Sequence, residues 1–284
     1  MVNPLSATSY VSVKNVVILL ETQQRLRQMS LPAVGGATSV NLDDYLASSR
    51  NLCNLRTITF QLLPDTTFDS QLHTIVRRSS NLEQFHLRYS PDPGQNPQQA
   101  FTRIVRRVPQ QGALFTLATR LTFHGYDFSV YNSTGAVPSF PALRAMAMVD
   151  CQRMDYIMPD FNAENLPRLV SLMIKTNSHF NSVVVETFLG ALNEMREIIL
   201  HGRGLWLGDG AALTQHADSL HLLSLYVGES GGFDSTAFKM DSYHTVFGSL
   251  TALRHLSVLV DWAWCQLVSR ACHSFTNRTN KMIV

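Results

Sequence analysis

A spacing constrains this chain more than any motif does. Between residues 166 and 174 the apolar side chains fall at Leu166, Leu169, Leu172 and Ile174. Taking Leu172 as position zero puts them at minus six, minus three, zero and plus two. Seven further stretches fit the same template, with zero sites at Ile58, Phe85, Leu121, Met146, Ile198, Leu223 and Leu256, and Ser79 is the one template position that is not apolar. Successive zero sites lie 27, 36, 25, 26, 26, 25 and 33 residues apart. A period in this range marks stacked structural repeats, in which each unit buries its apolar face only against its neighbours. Such an array grows by adding units, so 284 residues do not require two globular domains.

Each unit divides into a strand half and a return half. Side chains alternate along a strand, so the zero and plus-two residues share one face and the residues beside them share the other. The return halves are expected to be helical at 69–79, 97–108, 183–192 and 243–250, where apolar residues recur at spacings of three and four. Val185, Phe188, Leu189 and Leu192 form one such stripe. The run Ile75-Val76-Arg77-Arg78 recurs as Ile104-Val105-Arg106-Arg107. Its paired arginines read as cations near helix C-termini. The two long intervals contain Ser90-Pro-Asp-Pro-Gly and Gly228-Glu-Ser-Gly-Gly, insertions expected in surface loops. Residues 1–9 read as a loose lead-in, 10–20 as a β-branched first strand, 21–29 as a short helix and 30–40 as a loop. The array is expected over 10–260, and 261–284 as a cap and tail.

Charged residues make up 15% of the chain, below the roughly 25% of an average soluble domain. That suits an array burying apolar side chains along its whole length. A formal net charge of +2 is no electrostatic footprint for nucleic acid. Cys53, Cys151, Cys265 and Cys272 are too few and too scattered for a disulfide framework, so the expected compartment is reducing and intracellular, cytoplasm or nucleus. No run approaches the length of a membrane span. Without secretion, the sequons at Asn132 and Asn277 are read as chance matches.

A strand written Leu-x-x-Leu-x-x-Leu-x-Leu with a period near 26 resembles the leucine-rich repeats, and the helical return halves resemble the variant in substrate receptors of F-box ubiquitin ligases. In that family a Cys or Asn at plus five turns the chain and hydrogen-bonds neighbouring backbone. Cys151 and Asn177 match, whereas Leu63, Ser90, Tyr126, Arg203, Gly228 and Asp261 occupy that place elsewhere. The irregular unit lengths and the opening at Tyr10 are similar to fungal repeat proteins that carry an F-box ahead of the array; residues 1–45 do not resemble an F-box. The resemblance covers about residues 10–260. It implies an α/β leucine-rich-repeat solenoid, or horseshoe, with parallel strands on the concave face and helices or irregular segments on the convex face. It also implies a ubiquitin-ligase adaptor as partner where an F-box is supplied.

Enzymatic motifs are sparse. Gly228-Glu229-Ser230-Gly231-Gly232 is a literal Gly-x-Ser-x-Gly after an apolar strand, the form of a hydrolase nucleophile elbow. The residues that follow make a poor helix start, and the plainer reading is a loop. Gly202-Arg203-Gly204 has its third glycine, Gly208, one residue late for a dinucleotide-binding turn. It reads instead as a turn needing φ > 0. Cys265, Cys272 and His273 lack the spacing of a metal site. No catalytic residue, metal or cofactor is expected.

What remains is the row of outward strand residues, which in a curved array forms one continuous surface. Its candidate binding residues are His86, Arg88, Arg120, His124, Met173, Lys175, Ile199, His201, Tyr226 and His255. Basic and polar groups lie toward the early units, small and apolar ones toward the middle and late units. That mixture is expected of a face that docks a protein or peptide, with no nucleic acid and no membrane. Each histidine is expected at the surface rather than as a ligand or base.

Overall fold

The structure, a computed structural model, describes residues 22, 27–31, 51–62, 78–89, 118–125, 128, 139–179, 181–203, 205, 207–228, 242–258 and 282–283. Within them the alternation of apolar and polar residues produces ten strands. These are β1 (Gln28–Leu31), β2 (Thr57–Leu62), β3 (Gln84–Tyr89), β4 (Arg120–His124) and β5 (Ala145–Val149), then β6 (Ser171–His179), β7 (Glu197–Arg203), β8 (Leu222–Gly228), β9 (His255–Val258) and β10 (Met282–Ile283). They form one open sheet in chain order, every neighbouring pair parallel. Parallel neighbours cannot be joined by a tight hairpin. A return segment after each strand is therefore obligatory, and the fold is α/β.

The register is the physical content of the repeat. Met29, Ile58, Phe85, Leu121, Met146, Leu172, Ile198, Leu223, Leu256 and Met282 stand opposite one another in a single row across the sheet. The template residues whose burial is described are buried, Ser79 included, except that Ala217 and Val258 are partly buried and pack against the same core. Each fully buried Leu, Ile or Phe is worth about 1.5–3 kcal/mol of burial. A one-residue slip would turn a whole strand's apolar set to solvent.

Two strands lie outside the eight units read from the sequence. Residues 21–29 were expected as a helix, but Gln28 and Met29 belong to β1. Met29 takes the zero place, 4% exposed and opposite Ile58. Only four residues long, Gln28-Met29-Ser30-Leu31 carries a strand's alternation that the helical reading of its surroundings hid. The strand expected at 10–20 lies outside the described residues. At the other end, β10 falls within 261–284, where Met282 pairs with Leu256.

The return halves at 183–192 and 243–250 are helical as expected, forming α1 (Ser182–Gly190) and α3 (Ser242–Ser249), with a single turn, α2 (Ala211–Thr214), between them. After Ser182, α1 runs through three consecutive valines, poor helix formers. Its N-cap Asn181 accepts a hydrogen bond from the Val184 amide at 3.4 Å, and Val185, Phe188 and Leu189 are buried. Tertiary packing and the cap override local propensity here. Two 3-10 turns, Met154–Tyr156 and Met158–Asp160, replace a helix in the preceding return. Phe161 there bridges Phe140 and Phe188, with ring centroids 6.2 and 6.5 Å apart. The returns at 69–77 and 97–108 lie outside the described residues.

Gly202 does not make a left-handed turn: it lies within β7, buried and opposite Val227. The positive φ falls instead on Gly208, at 53°, and Gly210, at 77° and N-cap of α2. A Cβ on Gly208 would also approach the Glu186 carboxylate at 3.4 Å.

Beyond the strands, Cys151 is buried, and its thiol donates toward the carbonyls of Val149 at 3.5 Å and Phe123 at 3.7 Å. In the next unit that bonding comes from Thr176, one residue before Asn177. Its hydroxyl donates to the Cys151 carbonyl at 3.0 Å. Thr176→Val keeps the shape and removes the donor. A loss of about 1 kcal/mol is expected in urea unfolding, and an unchanged midpoint would mean the bond contributes nothing net.

A buried polar knot ties α1 to β7. His216, 2% exposed, accepts the Met195 amide on Nδ1 at 3.4 Å, so its proton sits on Nε2, which donates to the Leu189 carbonyl at 3.2 Å. Gln215 donates to the same carbonyl at 2.8 Å, and Ser219 donates to the Met195 carbonyl at 2.8 Å. His216 thus departs from the expectation that each histidine lies at the surface. Its return segment needs a short polar side chain that can both accept and donate where α1 ends and β7 begins.

Candidate functional site

The residues between the core positions of each strand point the other way and build the second face of the sheet. Three rows run across it. The residues before position zero are Gln28, Thr57, Gln84, Arg120, Ala145, Ser171, Glu197, Leu222 and His255. The row after it runs Ser30, Thr59, His86, Thr122, Ala147, Met173, Ile199, Ser224, Ser257 and Ile283. At plus three stand Gln61, Arg88, His124, Val149, Lys175, His201 and Tyr226. Wherever burial is described along these rows, no side chain is fully buried. Parallel sheets ordinarily have both faces covered; among the described residues this one leaves a face half-buried to exposed.

All ten candidate residues lie on this face. Arg88, Arg120, Tyr226 and His255 are exposed, while His86, His124, Met173, Lys175, Ile199 and His201 are half-buried. They divide into groups. Arg88 and His124 stand opposite each other on β3 and β4. His86 lies between the levels of Arg120 and Arg88; partial burial, then the Arg120 charge, then the Arg88 charge hold its pKa below the ordinary histidine value. His124 Nε2 reaches Asp150 at 3.8 Å, a partner not anticipated from sequence. Asp150 follows β5 in the left-handed region, with φ 52°.

On the later strands Lys175, His201 and Tyr226 stand in one row. His201 Nε2 is 2.9 Å from Ser224 Oγ, and the His201 and Tyr226 rings lie 5.8 Å apart at 54°. Burial, followed by the Lys175 charge, lowers the His201 pKa, so at neutral pH the ring is an uncharged hydrogen-bonding platform. Met173 and Ile199 are register partners, and Leu222 stands opposite Glu197 on the neighbouring strand. Glu197 accepts a hydrogen bond from Ser171 at 2.7 Å. His255 lies at the end of the row before position zero, opposite Leu222, and joins neither group.

Gln28 and Ser30 extend the face onto β1; the polar-apolar alternation of residues 28–31 was the signal for them. Ser230 and the glycines after it lie outside the described residues, as do Cys265, Cys272 and His273. Among the described residues no group of three or more His, Cys, Asp or Glu is placed to hold a metal ion, and no helix is long and apolar enough to cross a membrane. No family model matches the chain, and no curated protein matches it.

Proposed function

We propose that the chain is a non-enzymatic scaffold that docks a protein or peptide on its open sheet face. In this reading the parallel sheet is the inner, concave surface of a leucine-rich-repeat solenoid. The chain acts as the substrate-recognition region of an F-box-type ubiquitin-ligase receptor where an F-box is supplied. The observation that carries it is the outward face itself, a run of side chains in register that is polar on β1 and β2, basic on β3 and β4 and more apolar further along. Mixed polar and apolar composition over a large rigid surface suits protein recognition.

A photo-crosslinking amino acid at position 173, on the open face, tests this against one at position 183, where Val183 is 72% exposed at the start of α1. Partner adducts are expected from position 173 and not from 183 in cells expressing the chain; adducts from 183 alone would place docking on the wrong side. Co-purification with the adaptor subunit that F-boxes bind tests the ligase form, and its absence from a chain supplied with an F-box would remove that form. A fluorophosphonate probe is expected to give no labelling that Ser230→Ala abolishes. Labelling lost in that variant would make the chain a serine hydrolase instead.

A further inference from the structure

Two arginines stand together on the early strands of the open face, while Met173, Ile199 and Leu222 gather on later strands that also carry Lys175 and Glu197. Strands β3 and β4 carry Arg88, Arg120 and His86, and among the described residues neither arginine has an acidic partner. Near them Arg56 pairs with Glu83 at 3.4 Å and His124 with Asp150 at 3.8 Å, whereas Lys175, the other cation of this face, shares with the two arginines the lack of an acidic partner among the described residues. Next comes β5, which presents only Ala145, Ala147 and Val149, a low strip between taller side chains. Beyond it Met173, Ile199 and Leu222 on β6, β7 and β8 form a half-buried apolar patch, edged by Tyr226, 45% exposed.

We propose that this face takes an extended segment of a partner protein that crosses the strands, its carboxylates over Arg88 and Arg120 and an apolar side chain over Met173, Ile199 and Leu222. The assignment rests on the docking reading above and specifies its ligand. Parallel strands lie about 4.8 Å apart, so the centre of the basic pair, between β3 and β4, is about 17 Å from the apolar patch centred on β7. Extended chain spans about 3.3 Å per residue, which sets the acidic and apolar parts of the ligand about five residues apart. Two unpaired guanidinium groups suit carboxylates, each able to make two parallel hydrogen bonds. A nucleic-acid strand fits less well. Its phosphates would continue past β4 over a floor of Ala145, Ala147, Met173 and Ile199, with Lys175 as the one basic group there to receive them, and would meet the Glu197 carboxylate.

Random-peptide display against the full chain tests the assignment, with Arg88→Glu/Arg120→Glu and Ile199→Asp variants as counter-selectors and melting temperatures confirming that both fold. Should Ile199→Asp melt early, Tyr226→Asp repeats the test at an exposed site. The expected peptides bind the wild-type chain, are rejected by both variants, and carry an acidic block separated from an apolar residue by about four to six positions. A synthetic peptide of that pattern should lose about tenfold or more in affinity on arginine reversal, and should lose affinity again when its spacer is doubled. Peptides rejected by Ile199→Asp but kept by the double arginine variant would overturn the acidic assignment while leaving the docking face standing. Peptides indifferent to every variant would overturn both. A single-stranded DNA oligonucleotide that binds the wild-type chain and Ile199→Asp equally, and fails on the arginine variant, would reassign the cluster to nucleic acid.

Discussion

Leu172→Ala is expected to destabilise the fold by about 3 kcal/mol, within the range of about 2–5 for a buried leucine cut to alanine, while Met173→Ala, one residue further on, costs less than about 1 kcal/mol. Leu172 is 0% exposed at the centre of the row that joins all ten strands, between Met146 and Ile198. Its loss leaves a cavity in a close-packed interior whose strands on either side cannot move in without breaking register. Met173 is half-buried on the opposite face, where truncation removes some contacts and creates no enclosed void. Urea unfolding of the two variants decides the matter. Equal losses would mean that the two faces of β6 are not distinct.

His216 carries the second large effect. His216→Leu removes both hydrogen bonds of the imidazole, and the buried Met195 amide then has no acceptor there. A loss of about 2–3 kcal/mol is expected, given the cost of about 1–3 kcal/mol for one buried polar group left unsatisfied. The pH dependence separates this role from simple packing. Burial lowers the His216 pKa below its unfolded value, and the bond to the Leu189 carbonyl offsets that only in part. Protonating Nδ1 also displaces the Met195 amide. A histidine with its folded pKa below the unfolded value contributes stability that is complete above about pH 6.5 and is lost as pH falls through the folded pKa. The difference in unfolding free energy between wild type and His216→Leu should therefore shrink from pH 7.5 toward pH 5. His86 and His201 also have lowered values, and both remain in the variant, so the difference isolates His216. A difference that does not change with pH would show that the imidazole acts by shape alone.

The strand half of this protein was legible in its sequence because side-chain alternation and a near-constant period report the same physical fact, the register of a parallel sheet. Leu172 and Leu223 could be placed in one row from spacing alone, and so could the open-face residues beside them. The strands that escaped notice, β1 and β10, are the shortest described apart from β9. Four residues around Met29, or two at Met282, give too little periodicity to stand out from neighbouring segments. Glycine is ambiguous for a related reason. Gly202 lies buried within β7, whereas left-handed positions follow at Gly208 and Gly210, and composition cannot tell a glycine in a strand from one at a positive φ. Candidate site residues were legible as a face but not as groups. Asp150 beside His124, and Ser224 beside His201, depend on which strands are adjacent and how far loops reach, information that only the three-dimensional register supplies.

Disulfide formation between introduced cysteines on the open face measures that register directly. In a background with Cys53, Cys265 and Cys272 replaced by serine, Ala147→Cys/Met173→Cys places two thiols at register partners on β5 and β6. Their Cα atoms should be about 4.8 Å apart, inside the disulfide range of about 4.4–6.8 Å. Ala147→Cys/Ile199→Cys spans two strand intervals, about 9.6 Å. Mild oxidation should link the first pair quickly and leave the second reduced. Preferential linking of the second pair, or of Ala145→Cys with Met173→Cys, would contradict the register on which both the core row and the docking face depend.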